Sequence, residues 1–183
     1  MRGWGMTKGP LRRLFALELI LAGSISGQGP GRPYRNTDYG YWVAVPEGLT
    51  LITAQAPLPN HGFRIDLSPT DSLWADGPST DALSLDDAVA AERALWSRCK
   101  QRRPRPRTLD GAEAMQITMS CPAETSGGGP TTTTILIAYG GAPHRGPIRY
   151  IVGMQYRPGT ACEARARRVF DELRTGFHFI REQ

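Results

Sequence analysis

Residues 98–107 carry most of the binding chemistry that this sequence offers. The stretch reads Arg-Cys-Lys-Gln-Arg-Arg-Pro-Arg-Pro-Arg and places six positive charges within ten positions. Guanidinium groups bind phosphate and carboxylate oxygens through paired hydrogen bonds. We therefore expect a polyanion-binding site formed by Arg98, Lys100, Arg102, Arg103, Arg105 and Arg107. The alternative is a solvated connection between a helix and a strand.

The surroundings of this stretch restrict the class of polyanion. Residues 97–114 contain no aromatic side chain that could stack on a base, which disfavours nucleic acid. An anionic lipid, a cell-wall polymer or the acidic face of another protein is the better match. Pro104 and Pro106 favour an extended backbone, in which alternation would splay the guanidinium groups in different directions.

The histidines carry little sign of catalysis. His61 and His144 fall in turn-like segments, and His178 lies between two phenylalanines. None accompanies a Gly-x-Ser-x-Gly nucleophile elbow or a His-Glu-x-x-His zinc motif. We expect no catalytic residue, cofactor or metal site. The alternative is a small secreted hydrolase with a site assembled from scattered Asp, His and Ser residues, which requires a pocket where a histidine and a carboxylate converge.

The N-terminal residues have the pattern of a secretory signal peptide. A basic head precedes the apolar run 14–22, and small residues follow it. The run is shorter than the ~20 residues of a membrane span. We expect cleavage near Ser26, which removes four basic residues and one acidic residue and lowers the net charge from +5 to +2. The mature protein is then secreted or periplasmic, with no membrane span; an uncleaved anchor and a cytosolic terminus are the alternatives.

An exported chain with three cysteines favours one disulfide and one free thiol. We favour the pair Cys99–Cys121, because it would tie the end of a helix to a strand and enclose the basic stretch. The other two pairings, each with Cys162, remain possible. All three cysteines could instead be reduced and buried as small apolar residues.

The helices and strands that must position these residues are predicted from hydrophobic periodicity and from the Gly and Pro residues that mark turns. Residues 27–40 are rich in Gly and Pro and predict a flexible lead-in to one globular domain over residues 41–181. Ser84 is a natural N-cap for a helix that reaches Arg98, and a second helix spans about residues 160–174. Strands are predicted around these helices, at residues 41–45, 49–56, 62–67, 112–121, 131–139, 148–156 and 176–180. Short turns join most of these strands, so we expect an α+β domain: an antiparallel sheet of about six or seven strands covered by two main helices.

Two segments resemble the Mog1/PsbP-like group of small exported domains. Tyr41-Trp-Val-Ala-Val-Pro46 is similar to the opening motif of that group, and Phe170-Asp-Glu-Leu-Arg-Thr-Gly-Phe-His-Phe179 is similar to its closing helix and strand. The resemblance covers roughly residues 39–181 and rests on packing motifs. It implies a layered sandwich and a non-catalytic binding or accessory role, with an unknown protein or an anionic surface component as partner. It carries no catalytic residues over to this sequence.

Overall fold

The computed structural model of the chain describes residues 33–54, 60–123, 129–142 and 146–181. Two long helices are present there, α1 (Leu85–Leu95) and α2 (Cys162–Thr175). The strands of the described part are β1 (Tyr34–Asn36), β2 (Tyr41–Val43), β3 (Ile52–Thr53), β4 (Gly62–Asp66), β5 (Ser72–Asp76), β6 (Lys100–Gln101), β7 (Arg105–Leu109), β8 (Ala112–Cys121), β9 (Thr131–Ala142), β10 (Gly146–Tyr156) and β11 (Phe177–Phe179).

The strands form two antiparallel sheets. The main sheet runs in the order β3-β4-β5-β10-β9-β8, and both β6 and β7 pair with the outer edge of β8. A small sheet has the order β1-β2-β11. The predicted antiparallel sheet with two helices is confirmed. The strands outnumber the predicted six or seven, because several have only two or three residues and leave little periodicity to detect.

One face of the main sheet packs against α2 and the small sheet. From α2, Ala166, Val169, Phe170 and Leu173 are buried on the apolar side chains of β10 and β5. Tyr41 and Phe177 of the small sheet stack on each other in the same core, with ring centroids 5.1 Å apart.

The opposite face packs against α1, so the two helices lie on opposite sides of the sheet. Ser84 caps α1 as predicted, since its side chain accepts a hydrogen bond from the Asp87 N–H. The helix was predicted to reach Arg98, but its last residue is Leu95, which is 71% exposed. The helix ends there, and Trp96 packs on the sheet side instead, with its Nε1 donating to Glu92 Oε1 at 2.9 Å.

The N-terminal boundary of the domain differs from the expected one. Part of the predicted lead-in forms β1, which pairs with β2, and Tyr34 and Tyr39 are buried in the core. Aromatic side chains in a Gly/Pro-rich segment gain enough burial to order it. The folded domain therefore begins before Tyr41. Residues 1–32, which include the predicted signal peptide, lie outside the described part. Within that part, neither helix is long and apolar enough to cross a bilayer.

Candidate functional site: an arginine groove at the sheet edge

The basic stretch is part of the sheet and not a loop. Its residues form β6 and β7, which pair with β8 along one edge. Proline is tolerated there, because an outermost strand needs hydrogen bonds on one side only. A two-residue turn, Asp110-Gly111, joins β7 to β8, and both residues have positive φ, 47° and 81°. This is the turn chemistry that favours tight hairpins.

A β-bulge separates β6 from β7. Gln101 pairs with Met119 and Arg105 pairs with Gln116, so three residues of the basic strand oppose two residues of β8. The Arg102 N–H still donates to the Thr118 carbonyl at 2.9 Å. One extra residue on one strand inverts the alternation of side chains beyond it. Cys99 accordingly lies in the core beneath α1, while Leu109 lies in the core beneath α2.

The bulge brings basic side chains to one face. Lys100 pairs with Ser120 before the bulge, and Arg105 and Arg107 pair with Gln116 and Ala114 after it, all on the side of α2. We expected alternation to splay these groups, and that expectation is wrong because of the inserted residue. The edge carries a basic row on one face, defined by Lys100, Arg102, Arg105 and Arg107.

The arginine groove is a cavity of about 460 Å³ between this edge and α2. Its basic wall holds Arg102, Arg103 and Arg105. Its floor is the polar face of β8 and β9, which remains open because α2 packs on β10 and β5 further along the sheet. The floor residues are Gln116, Thr118, Ser120, Thr132 and Thr134.

The opposite wall comes from α2 and presents a fourth guanidinium group. Arg167 donates to Glu163 Oε1 at 2.9 Å and to the Tyr156 hydroxyl, and its guanidinium carbon lies 4.9 Å from the centre of the Tyr156 ring. The Gly159 N–H and the Arg167 side chain hold the pKa of Glu163 below its ordinary value, so Glu163 stays ionised and fixes Arg167. Asp171 also lines this wall, 3.6 Å from Arg174.

The arginines of the basic wall have no charge partner in the part of the chain that the structure describes. Among the described residues, no side chain or backbone oxygen accepts a hydrogen bond from the guanidinium groups of Arg102, Arg103 or Arg105, and no carboxylate pairs with them. Both carboxylates of the groove already interact with arginines of α2. The groove therefore has donors and positive charge available for an external anion.

The remaining members of the predicted set lie around the groove. Arg107 donates from Nε to Gln116 Oε1 at 3.2 Å, so it contacts the floor from outside. Lys100 is exposed and continues the basic row beyond the cavity. Arg98 lines a different cavity of about 250 Å³ on the side of α1, together with Leu95 and Trp96.

The two cysteines of the favoured pair are joined in the structure, with an S–S distance of 2.11 Å. The bond links the segment after α1 to the last residue of β8 and encloses the basic strand and its hairpin. Cys162, at the start of α2, is free and partly exposed.

Two of the three histidines lie within hydrogen-bonding distance of a carboxylate. His61 Nδ1 contacts Asp76 Oδ1 beside a cavity of about 270 Å³ that Phe63 and Trp74 also line. His178 Nδ1 lies 3.1 Å from Asp110 Oδ1, and its ring stacks on Trp42 at 4.2 Å. No hydroxyl or thiol side chain of the described residues hydrogen-bonds to either ring. His144 lies outside the described residues.

Sequence reasoning missed the floor and the far wall of the groove. The signal for the floor was available in β8, where Met115, Ile117 and Met119 alternate with Gln116, Thr118 and Ser120. This alternation predicts a half-buried strand, but it does not by itself indicate that the polar face lines a groove. No local signal marks Arg167, because helix α2 reaches the groove only through the fold.

No family model matches the sequence, and no curated protein matches it. Solved structures match the fold. LpqN from Mycobacterium tuberculosis aligns with a TM-score of 0.59 and 13% identity, over 82% of this chain and 90% of that chain. PsbP from the cyanobacterium Synechocystis matches with a TM-score of 0.46 and 17% identity, over 86% and 98% of the two chains.

The Ran-binding protein Mog1p from Saccharomyces cerevisiae matches with a TM-score of 0.46 and 15% identity, over 81% of this chain and 95% of that chain. The PsbP and Mog1p likenesses are too distant to bear on function. The layered α+β sandwich that the resemblance implies is confirmed by the two sheets and two long helices of the structure. The chain has the layered α+β fold that LpqN also has, and this likeness extends to the fold alone.

Proposed function

We propose that this chain is an exported, non-catalytic binding domain that takes an anionic partner in the arginine groove. One observation carries the proposal: Arg102, Arg103 and Arg105 line a polar cavity, and their guanidinium groups have no hydrogen-bond or ion-pair partner among the described residues. The groove is positively charged, because four guanidinium groups line it and only two carboxylates do. Both carboxylates already pair with arginines of α2. An anionic surface component or the acidic region of another protein has the complementary chemistry.

Two features support an exported location. The basic head, apolar run and small residues of the N-terminal segment are typical of a cleaved signal peptide. The Cys99–Cys121 disulfide fits an oxidising compartment. An exported location also agrees with the involvement in cell envelope biogenesis of LpqN, which has the same fold.

The proposal is tested by the salt dependence of binding to inorganic polyphosphate. Each arginine–phosphate contact contributes about 0.7–0.9 to the slope of log K against log salt concentration. The triple variant Arg102→Ser/Arg103→Ser/Arg105→Ser should therefore bind more weakly and lose about two units of slope. Affinity is measured by isothermal titration calorimetry over a series of salt concentrations.

The matched control is Arg35→Ser/Arg165→Ser/Arg168→Ser, which removes the same charge from exposed arginines outside the groove. An equal loss in both variants would assign binding to overall charge. An unchanged affinity in the groove variant would remove the groove from the function.

The alternative of a small exported hydrolase has one observation in its favour, the His61–Asp76 pair beside a cavity. A carboxylate-paired histidine is the arrangement that a general base needs. The described residues supply no nucleophile hydrogen-bonded to that ring, so binding explains more of the structure. Ester hydrolysis that His61→Gln abolishes would reverse this preference.

A further inference from the structure

The basic row extends past the ends of the arginine groove. Arg102 and Arg105 line the cavity, whereas Lys100 and Arg107 lie on the same face beyond it in either direction along the edge. Alternate residues of a strand are about 7 Å apart, so the row presents a regular series of charges. A small anion can contact only one or two of these groups, whereas an extended chain with repeated charges can contact all of them.

The floor of the groove is built for a ligand that carries hydroxyl groups. Thr118, Ser120, Thr132 and Thr134 each offer a hydroxyl that donates and accepts hydrogen bonds, and Gln116 offers an amide. Thr118 and Thr134 are 3.2 Å apart on neighbouring strands and form a paired polar floor. The oxygens of a phosphate ester or diester only accept hydrogen bonds, so the hydroxyl oxygens of the floor would have no donor to accept from. Hydroxyl groups of a ligand would supply that donor.

The described residues of the groove offer no exposed aromatic ring on which a nucleobase could stack. Its two aromatic side chains, Tyr156 and Phe170, are only 2% and 5% exposed, and the Arg167 guanidinium lies over the Tyr156 ring. Binding of single-stranded nucleic acid depends on exposed aromatic rings. The chemistry of this groove therefore favours a chain without bases.

Resting on the binding function proposed above, we propose that the ligand of the groove is a linear phosphodiester polymer of a polyol. In such a chain a short polyol joins successive phosphates, so its charges recur at about the spacing of the basic row, and each repeat carries hydroxyl groups toward the floor. An acidic glycan places its charges further apart when acidic sugars alternate with neutral ones.

The test compares two polyanions of equal charge, poly(glycerol phosphate) and inorganic polyphosphate, which has no hydroxyl groups along its chain. The wild-type protein should bind poly(glycerol phosphate) more tightly. The variant Thr118→Val/Thr134→Val keeps the shape of both side chains and removes both hydroxyls. It should lose about tenfold in affinity for poly(glycerol phosphate) and change less than about twofold for polyphosphate.

Thr108→Val is the matched control, because Thr108 is exposed on β7 and does not line the groove. Thermal unfolding of all variants verifies that they are folded. Equal affinity of the wild type for the two polymers, or a parallel loss for both polymers in the double variant, would overturn the polyol assignment and leave anion binding in place. Tighter binding of an oligothymidylate than of poly(glycerol phosphate) would also overturn it. If neither polymer bound and the groove arginines had no effect, the binding function itself would fail.

Discussion

At the scale of single residues, Asp110 connects the two sheets. It occupies the hairpin turn between β7 and β8, and its carboxylate accepts hydrogen bonds from the Phe179 N–H at 2.9 Å and from His178 at 3.1 Å. Arg181 lies 3.6 Å away. Partial burial disfavours the charged form, but these two hydrogen bonds and the electrostatic attraction of His178 and Arg181 outweigh it and hold the pKa of Asp110 below its ordinary value. The turn that ends the basic hairpin is thereby fixed to β11.

This lowered pKa predicts a contribution to stability that depends on pH. Asp110 binds its proton more weakly in the folded protein, so its contribution is complete above about pH 4, the unfolded pKa, and is lost as the pH falls through the folded pKa. Asp110→Asn keeps an acceptor and tolerates the positive φ, but it removes the charge. We expect this variant to lose about 1–2 kcal/mol of unfolding free energy at neutral pH. Its unfolding free energy should also fall less steeply than that of the wild type as the pH is lowered.

Urea denaturation from pH 2.5 to 7 measures both quantities. Asp81→Asn is the control, because Asp81 is exposed and has no hydrogen bond or ion pair with the described residues. If the unfolding free energy of Asp110→Asn decreased at acidic pH as steeply as that of the wild type, other carboxylates would be responsible for the decrease.

At the scale of elements, local patterns predicted helices and long strands better than the basic stretch. Ser84 marks the start of α1 correctly, because capping depends on neighbouring residues. The bulge between β6 and β7 depends on the register with β8, which no local pattern contains. The same holds for the pairing of Thr118 with Thr134, residues on two different strands. The predicted set of basic residues was therefore close to the site, while the shape of the groove had to come from the fold.

The bulge itself can be tested by deletion of Arg103 against Arg103→Ser, since both changes remove the same charge. The deletion restores simple alternation, so Cys99 and Leu109 can no longer face opposite cores. Because Leu109 is 1% exposed, we expect the deletion to lower the free energy of unfolding by about 2 kcal/mol or more. Arg103→Ser should stay within about 0.5 kcal/mol of the wild type, as exposed substitutions do.

Chemical denaturation gives these free energies, and polyphosphate binding is measured on the same samples. The deletion should also weaken binding more than Arg103→Ser, since it turns part of the basic row away from the groove. A deletion variant as stable and as tightly binding as Arg103→Ser would show that the basic row does not depend on the bulge.

At the scale of the whole molecule, the groove follows from how the sheet is covered. Helix α2 packs on β10 and β5, α1 packs on the other face of β8 and β9, and the outer part of one face is left to polar side chains. A buried ion pair, Arg149 to Glu92 at 3.2 Å, fixes α1 to β10. The disulfide closes a loop of 22 residues around the basic edge, which stabilises the fold by about 3 kcal/mol in the chain-entropy model. The arrangement of helices on the sheet therefore creates the site, and no local sequence motif does.

The net charge of the whole molecule depends on whether the N-terminal segment is removed during export. We expect protein recovered from an exporting host to lack about 26 N-terminal residues by intact mass. Thiol alkylation should label one cysteine before reduction and three after it, because Cys99 and Cys121 are paired and Cys162 is free. The mature chain would then carry a net charge of +2. A full-length chain with three reactive thiols would instead indicate a reducing compartment and a net charge of +5, and nucleic acid would return as a partner for the groove.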